Sequence, residues 1–295
     1  ARAAPSRRVP AALIDVTSRM TEQRAGPSGE AAQAEPRLAF SFDSSGWLHI
    51  YHLGVAHALQ NHLLPVAGTH KFAFSGSSGG ALVAASLCTE LPIGTLAAHV
   101  ISRQSECEFN PWRMLPCAEE AMARFLPPDA HVRCTGRLRV LLTRVEVAWL
   151  KPLFRPETYN AFDSHHNLLQ VLRASCHIPI IGGILPYTID GGGARGAFYD
   201  GLFWPSILHM WRAGSGDTLV KVSGIGSLTA HIRPPLPPPP HWCVRSPTLL
   251  KRRALAHACL LRQVRPPAFA SDALAPLRDG RGRRRREAAP LARQG

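Results

Sequence analysis

Short apolar segments alternate with segments of helical spacing between residues 38 and 230. A short apolar run bounded by turn residues predicts a buried strand, and apolar residues at every third or fourth position predict an amphipathic helix. The pattern predicts strands at 37–42, 71–75, 137–143 and 221–225, and helices at 47–62, 79–88 and 167–176. Because strands and helices alternate, they predict an α/β protein with a largely parallel central sheet.

The two ends of the chain lack this periodicity, so the sequence predicts three zones. Residues 1–36 are rich in Ala, Arg and Ser and are predicted to be a disordered extension; a targeting leader is the alternative, although acidic residues there weaken it. Residues 37–232 form the predicted domain. Residues 233–295 begin with a proline run, which predicts an extended spacer leading into a basic, largely disordered tail.

Composition excludes several classes of protein. The chain has 295 residues, of which 45% are hydrophobic, so it can bury a substantial core. It contains no apolar run approaching the roughly 18 residues of a membrane-spanning helix. The seven cysteines form no C-x-x-C pair and the histidines no H-E-x-x-H motif, so the sequence predicts no disulfide framework, metal site or other cofactor.

Positive charge is concentrated near the end of the sequence. The net charge is +14, and thirteen basic but only three acidic residues follow from Arg245 onward. Such a cluster attracts anionic lipid surfaces. It also attracts nucleic acid without specificity, but no finger, helix-turn-helix or RNA-binding signature accompanies it. We therefore expect a lipid surface rather than a specific nucleic acid as partner, with a merely solvated tail as the alternative.

The segment from 72 to 82 contains the motif G-x-S-x-G, with Ser78 at its centre. A predicted strand precedes the motif and a helix of small residues follows it, which is the context of a nucleophile elbow. A side chain at Gly76 or Gly80 would crowd the sharp turn that such a serine needs. A flexible glycine-serine loop is the alternative interpretation.

A serine nucleophile needs a base and donors for the oxyanion. Backbone N–H groups after the first strand, at Ser45, Gly46 and Trp47, are candidate oxyanion donors, with an ordinary turn as the alternative. Asp200 and Asp190 each lie at a turn followed by glycine, and either is a candidate base. A Ser–His–Asp triad that adds His209 or His231 remains the rival arrangement.

Several motifs occur in the order found in the patatin-like phospholipase family, and the chain most closely resembles the animal-type branch of that family. The resemblance covers about residues 38–226 and is more specific than any one motif. The segments that carry it are Ser41–Phe42, Gly46–Leu48, Tyr51–Gly54, Gly76–Ala81, Leu126–Pro127, Asp129–His131, Gly136, Leu141–Arg144, Ala174–Pro179 and Gly183–Pro186.

The resemblance implies a three-layer α/β/α sandwich and a Ser–Asp dyad that works without histidine. Ser78 would attack an acyl ester and Asp200 would act as base, because Arg195-Gly196 precedes it as R-G does in the family. Asp190 is the alternative, since it is followed by two glycines as in the family's D-G-G. The implied function is hydrolysis of lipid acyl esters, of triacylglycerol or phospholipid, by a cytoplasmic protein peripheral to lipid droplets or membranes; organellar targeting is the alternative.

The sequence departs from the family pattern in the loop after the first strand. Ser44 and His49 stand where the family has glycine, and only Gly46 is retained. A Cβ atom at positive φ is costly, so a distorted loop would weaken oxyanion stabilisation. The alternative function is therefore a weak or inactive family member that binds lipid-droplet or membrane surfaces.

Overall fold

The computed structural model describes residues 37–107, 110–148, 151–191, 195–203, 211–236 and 238. The predicted extension at 1–36 and nearly all of the predicted spacer and basic tail lie outside these residues. The three-zone organisation, and the lipid-binding role of the tail, therefore stay predictions.

Within the described residues the chain forms seven strands and seven α-helices. The strands are β1 (Leu38–Phe42), β2 (Phe72–Gly76), β3 (Leu138–Ala148), β4 (Lys151–Tyr159), β5 (Tyr187–Ile189), β6 (Gly196–Tyr199) and β7 (Thr218–Val222). The helices are α1 (His49–His62), α2 (Leu64–Ala67), α3 (Gly79–Cys88), α4 (Ile93–Cys107), α5 (Met114–Phe125), α6 (Ala130–Cys134) and α7 (His165–Ser175). Short 3-10 turns occupy Gly46–Leu48, Thr69–Lys71 and Pro111–Arg113.

The strands form one mixed sheet in the order β5-β6-β3-β2-β1-β7. The central strands β3, β2, β1 and β7 are parallel, whereas β4, β5 and β6 are antiparallel to their neighbours. Every residue of β1 and β2 is buried, as expected for parallel strands covered on both faces. The predicted α/β fold with a mainly parallel central sheet is confirmed.

Strands β2 and β6 pair with the same edge of β3, and this arrangement positions the candidate site. Val140 of β3 pairs with Gly76 of β2 on one side and with β4 on the other. Three residues further on, Thr143 pairs with Tyr199 of β6 and again with β4. Both β2 and β6 therefore lie opposite β4. Because β2 runs parallel and β6 antiparallel to β3, their carboxyl ends point towards each other.

The sequence located most of the parallel core but missed the antiparallel part of the sheet. Helix α3 has the predicted bounds, and the helix predicted from 47 begins at His49 after a 3-10 turn. The late strand predicted at 221–225 was misplaced, because β7 spans Thr218–Val222 in register with β1. Strands β4, β5 and β6 are short or half-exposed, so they lack the continuous apolar run that marked the others.

The core lies where α3 packs on the sheet. Among the largest fully buried side chains are Phe42, Phe72, Phe74 and Phe198. Helix α3 contacts β1, β2 and β3, and its small residues allow this close approach. At the far side of β3, β4 pairs with no second strand among the described residues, and it carries two prolines, Pro152 and Pro156.

Candidate active site

Ser78 lies in the sharp turn between β2 and α3. Its φ is +53°, a conformation that is strained for a residue with a Cβ atom and is typical of functional sites. The N–H of Ser78 donates to Ser175 Oγ at 2.9 Å, and Ser175 Oγ in turn donates to the carbonyl of Leu141 at 2.8 Å. This buried chain of hydrogen bonds holds the turn against β3.

The two glycines of the motif lie where no side chain fits. A Cβ atom on Gly76 would lie 2.5 Å from the carbonyl group of Gly80. One on Gly80 would lie 2.4 Å from the carbonyl oxygen of Asp43. Both distances are far below a van der Waals contact, so each glycine is required by the close approach of neighbouring backbone.

Asp200 follows β6 directly and is 2% exposed. Its N–H donates to the carbonyl of His177 at 3.0 Å, and its Oδ1 accepts from the N–H of Leu202 at 2.7 Å. A Cβ atom on the next residue, Gly201, would lie 2.6 Å from the Cβ of Ser77. The turn that carries Asp200 therefore packs directly against the turn that carries the candidate nucleophile.

The carboxyl group of Asp200 has an unusual electrostatic environment. Burial raises its pKa to about 6, although hydrogen bonds from the Leu202 N–H and the Ser78 hydroxyl oppose this shift. Its Oδ2 is buried and receives no well-aligned hydrogen bond from the described residues. A buried carboxylate with a raised pKa and an unsatisfied oxygen beside a serine hydroxyl is suited to accept a proton.

The other candidate bases do not approach Ser78. Asp190 is exposed and follows Ile189, which pairs with Gly196 at the opposite end of β6, about 13 Å from Asp200 by strand rise. His231 binds the backbone of Lys221 on β7, and β1 lies between β7 and β2. His209 lies outside the described residues.

The loop after β1 lies beside the elbow. Gly46 has a φ of +51°, so the retained glycine occupies the position that favours one. Ser44 and His49, where the sequence departs from the family, are not among the described residues with positive φ. The expected backbone strain is therefore absent at both positions. Ser44 Oγ instead lies 2.6 Å from Ser77 Oγ and ties the loop to the elbow.

Backbone donors from this loop and from the start of α3 lie near Ser78, the candidate nucleophile. Among the described residues, the N–H groups of Ser45, Gly46, Trp47 and Gly79 donate to no protein acceptor. A Cβ atom on Gly79 would lie 3.3 Å from the carbonyl oxygen of Gly46, so the two segments are adjacent. Sequence reasoning singled out the first three residues; Gly79, the residue after the nucleophile, was not named, although its place at a helix N-terminus was the available signal.

A buried cluster of polar groups holds the loop after β1 in place. Asp43 accepts hydrogen bonds from the Gly224 N–H at 3.0 Å and from the Ser223 hydroxyl, and its Oδ1 lies 3.1 Å from His52 Nε2. The other ring nitrogen of His52 lies 3.2 Å from Ser45 Oγ. Asp43 and His52 are fully buried. Sequence reasoning missed this cluster, because Asp43 and Gly224 are distant along the chain.

An apolar pocket borders Ser78. His49 lines it, and burial lowers the pKa of this imidazole to about 4, which leaves it neutral. Cys176 also lines it, and burial together with the nearby Asp200 raises the pKa of the thiol well above its usual range. Most of the remaining lining is apolar and comes mainly from α3, α4 and α5, although His99 and Arg103 also belong to it. The apolar side chains include Leu53, Leu82, Leu96, Val100, Met114 and Met122.

A strand–turn–helix elbow that raises one serine at the end of a parallel strand defines the nucleophile-elbow class of α/β proteins, and this chain has that architecture. Comparison with known proteins identifies the family within this class. Residues 40–204, more than half of the chain, match the model of the patatin-like phospholipase family. The chain belongs to that family, as the sequence motifs predicted.

Similar proteins include the rat patatin-like phospholipase domain-containing protein 2, which is 31% identical over 166 residues, 53% of this chain and 33% of the relative. The human patatin-like phospholipase domain-containing protein 4 is 34% identical over 52% of this chain and 64% of the relative. The mouse 1-acylglycerol-3-phosphate O-acyltransferase Pnpla3 is 28% identical over 53% of this chain and 38% of the relative. The match thus spans about a third of the first relative's length. No helix in the described part of the chain is both long and apolar enough to cross a bilayer.

We expect Asp43→Ala to lower the free energy of unfolding by about 3 kcal/mol, because it leaves the Gly224 N–H and the buried Ser223 hydroxyl without their acceptor. Asp129→Ala is the matched control, since Asp129 forms an exposed ion pair with Arg133, whose loss should lower the free energy of unfolding far less. Urea unfolding of both variants measures the difference. Equal losses would contradict a structural role for the cluster.

We expect Asp200→Asn to stabilise the protein at pH 8. The pKa of Asp200 is about 6 in the folded state and about 3.9 in an unfolded chain, so stability falls as pH rises between these values. A neutral Asn avoids this loss, which is worth about 1–3 kcal/mol, and retains an acceptor for Leu202. The gain should vanish at pH 4. Thermal unfolding at both pH values, with Asp190→Asn as control, tests it; equal gains at both pH values would contradict it.

Proposed function

We propose that the protein hydrolyses acyl esters of lipids, with Ser78 as nucleophile and Asp200 as its base. The observation that carries this proposal is the meeting of β2 and β6 on one edge of β3, which brings a strained serine and a buried aspartate of raised pKa into adjacent turns. Neither Asp190 nor His231 has this relation to Ser78.

In the first half of the proposed reaction, Ser78 Oγ attacks the ester carbonyl while Asp200 takes the hydroxyl proton. The negative charge that develops on the carbonyl oxygen is stabilised by N–H groups of Gly79 and of the loop at Ser45, Gly46 and Trp47, each worth about 3 kcal/mol if well aligned. The intermediate then collapses, the alcohol leaves with the proton held by Asp200, and an acyl-serine remains.

In the second half, Asp200 removes a proton from a water molecule as the water attacks the acyl-serine. Collapse of the second intermediate breaks the bond to Ser78 Oγ, which regains the proton from Asp200 and releases the fatty acid. One group thus serves as base and acid in turn, for which a pKa near neutrality is favourable.

The lining of the pocket supports a lipid as substrate. A long acyl chain is stabilised by transfer from water into an aliphatic pocket, by about 0.8 kcal/mol for each buried methylene. The pocket beside Ser78 offers such surface and has few polar groups. Family membership supports the same substrate class, with triacylglycerol as the first candidate and phospholipid as the second.

Acyl transfer to an alcohol is the second candidate reaction, and it is supported by the mouse relative named as an acyltransferase. The same acyl-serine would form, and an alcohol would replace water in the second half of the reaction. Product analysis with and without added monoacylglycerol distinguishes the two, because transfer yields a diacylglycerol in place of free fatty acid.

We expect Ser78→Ala to reduce hydrolysis of a soluble p-nitrophenyl ester and of emulsified triacylglycerol by about 10⁴-fold or more, and Asp200→Asn by about 10²–10⁴-fold. Asp190→Asn, the matched carboxylate control, should retain the wild-type rate because Asp190 is exposed at the far end of β6. Near-background rates for both wild type and Ser78→Ala would favour the weak or inactive lipid-binding alternative. Loss of activity in Asp190→Asn would contradict the assignment of the base.

The pH profile gives a further test of the base. Since only ionised Asp200 accepts a proton, we expect kcat/KM to rise about tenfold per pH unit below about 6 and to level off above about 7. Steady-state rates on the soluble ester, measured from about pH 4.5 to about pH 8.5, give this profile. A flat profile through pH 6 would exclude Asp200 as the base.

A further inference from the structure

The segment from 178 to 186, here called the aliphatic loop, joins α7 to β5 and presents large apolar side chains to solvent. Ile180 is 72% exposed, Ile184 81% and Leu185 79%. Other exposed large apolar residues in the described chain are spread over separate elements, as is normal for a protein surface. Three within six residues form a concentrated patch, and such patches mark interaction sites.

The loop is held rigidly in this outward arrangement. The His177 ring donates through Nε2 to the carbonyl of Leu185 at 2.8 Å, and the Tyr199 hydroxyl donates to the carbonyl of Ile184 at 2.6 Å. Across the loop, the N–H of Ile180 donates to the carbonyl of Gly183 at 3.0 Å. The backbone of the loop is therefore well hydrogen-bonded, and a loose backbone does not explain why its apolar side chains are exposed.

Ile180 carries a conformational cost. Its φ is +76°, which is a clear outlier for a β-branched residue. A glycine would adopt this conformation without strain. The isoleucine is thus unfavourable both in its backbone and in its exposed side chain, so folding of the isolated chain does not explain its presence.

The aliphatic loop is continuous with the pocket beside Ser78. Ile178 and Ile181 line that pocket, while their neighbours Ile180, Ile184 and Leu185 face solvent. The loop is also uncharged, since residues 174–189 contain no Asp, Glu, Lys or Arg. An apolar, uncharged surface that borders an acyl-binding pocket is complementary to a neutral lipid interface.

We propose that the aliphatic loop docks the protein on the surface of a neutral lipid aggregate by inserting Ile180, Ile184 and Leu185, so that an acyl chain can pass from the interface along Ile178 and Ile181 into the pocket. This proposal rests on the proposed lipid hydrolase function. It is distinct from attraction of the basic tail to anionic lipid, because salt screens charge attraction but does not weaken the burial of aliphatic side chains.

The test is flotation of the full chain with phosphatidylcholine vesicles, with the same vesicles containing phosphatidylserine, and with triolein emulsions coated by phosphatidylcholine. All proteins carry Ser78→Ala, so that binding is measured without turnover. We expect the parent to bind with little difference between low and high NaCl. Adding Ile184→Ser and Leu185→Ser should lower the partition coefficient about tenfold or more, because two aliphatic side chains lose their burial.

Val147→Ser with Leu228→Ser is the matched control, since these residues are 76% and 83% exposed on other elements, and we expect binding equal to the parent. Ile180→Gly is a second variant, which should raise the thermal midpoint by relieving positive φ and yet weaken binding. Opposite shifts in these two measurements would not follow from a purely structural role.

The proposal is overturned if the Ile184 and Leu185 substitutions leave vesicle binding unchanged. It is also overturned if the parent binds only vesicles containing phosphatidylserine and is released by salt, or if it binds no vesicles and the substitutions instead abolish self-association in size-exclusion chromatography. Failure of the proposed hydrolase function would be seen separately, as absence of soluble-ester hydrolysis by the protein with Ser78 intact.

Discussion

The edge of β3 between Val140 and Thr143 determines how the candidate site is assembled. β2 ends its pairing at one of these residues and β6 ends its pairing at the other, so two turns share the short gap between them. The carbonyl of Leu141 lies in that gap and accepts the hydrogen bond from Ser175, which holds Ser78. Gly201 must lack a side chain because the same carbonyl lies 2.4 Å from where its Cβ would be. The elbow, its support and the aspartate turn therefore depend on one stretch of sheet edge.

The candidate site contains two buried aspartates, and the free-energy cost of burying a carboxylate is compensated differently in each. Asp43 accepts hydrogen bonds from Gly224 and Ser223 and lies beside His52, so its burial is compensated and it fixes a loop. Asp200 has the Leu202 N–H on one oxygen, and its second oxygen is buried without a well-aligned partner among the described residues. Burial that is only partly compensated raises the pKa of Asp200, and the loss of stability that results accompanies the property that suits it to the proposed role of base.

The sequence identified those parts of the molecule that local patterns encode. Helix α3 and the glycines around Ser78 could be predicted because each depends on residues within one turn of the chain. The pairing of β6 with β3 could not be, since β6 has four residues and its register depends on a strand more than fifty positions earlier. The preference for Asp200 over Asp190 therefore came from family resemblance, and the geometric reason for it emerged only from the sheet. The His52–Asp43 contact was likewise hidden, because nothing in a lone histidine on a helix indicates its partner.

Strand β4 is an edge strand among the described residues, and its sequence affects how readily two copies of the protein could pair through their sheets. An edge strand offers unpaired backbone groups to any neighbour, whereas Pro152 and Pro156 each lack a backbone donor and Lys151 adds an exposed charge. Adsorption confines molecules to two dimensions and raises their local concentration well above that in bulk solution. An edge protected in this way reduces lateral strand pairing between neighbouring copies, so the docking proposed above would concentrate the protein on lipid without promoting fibrous aggregation.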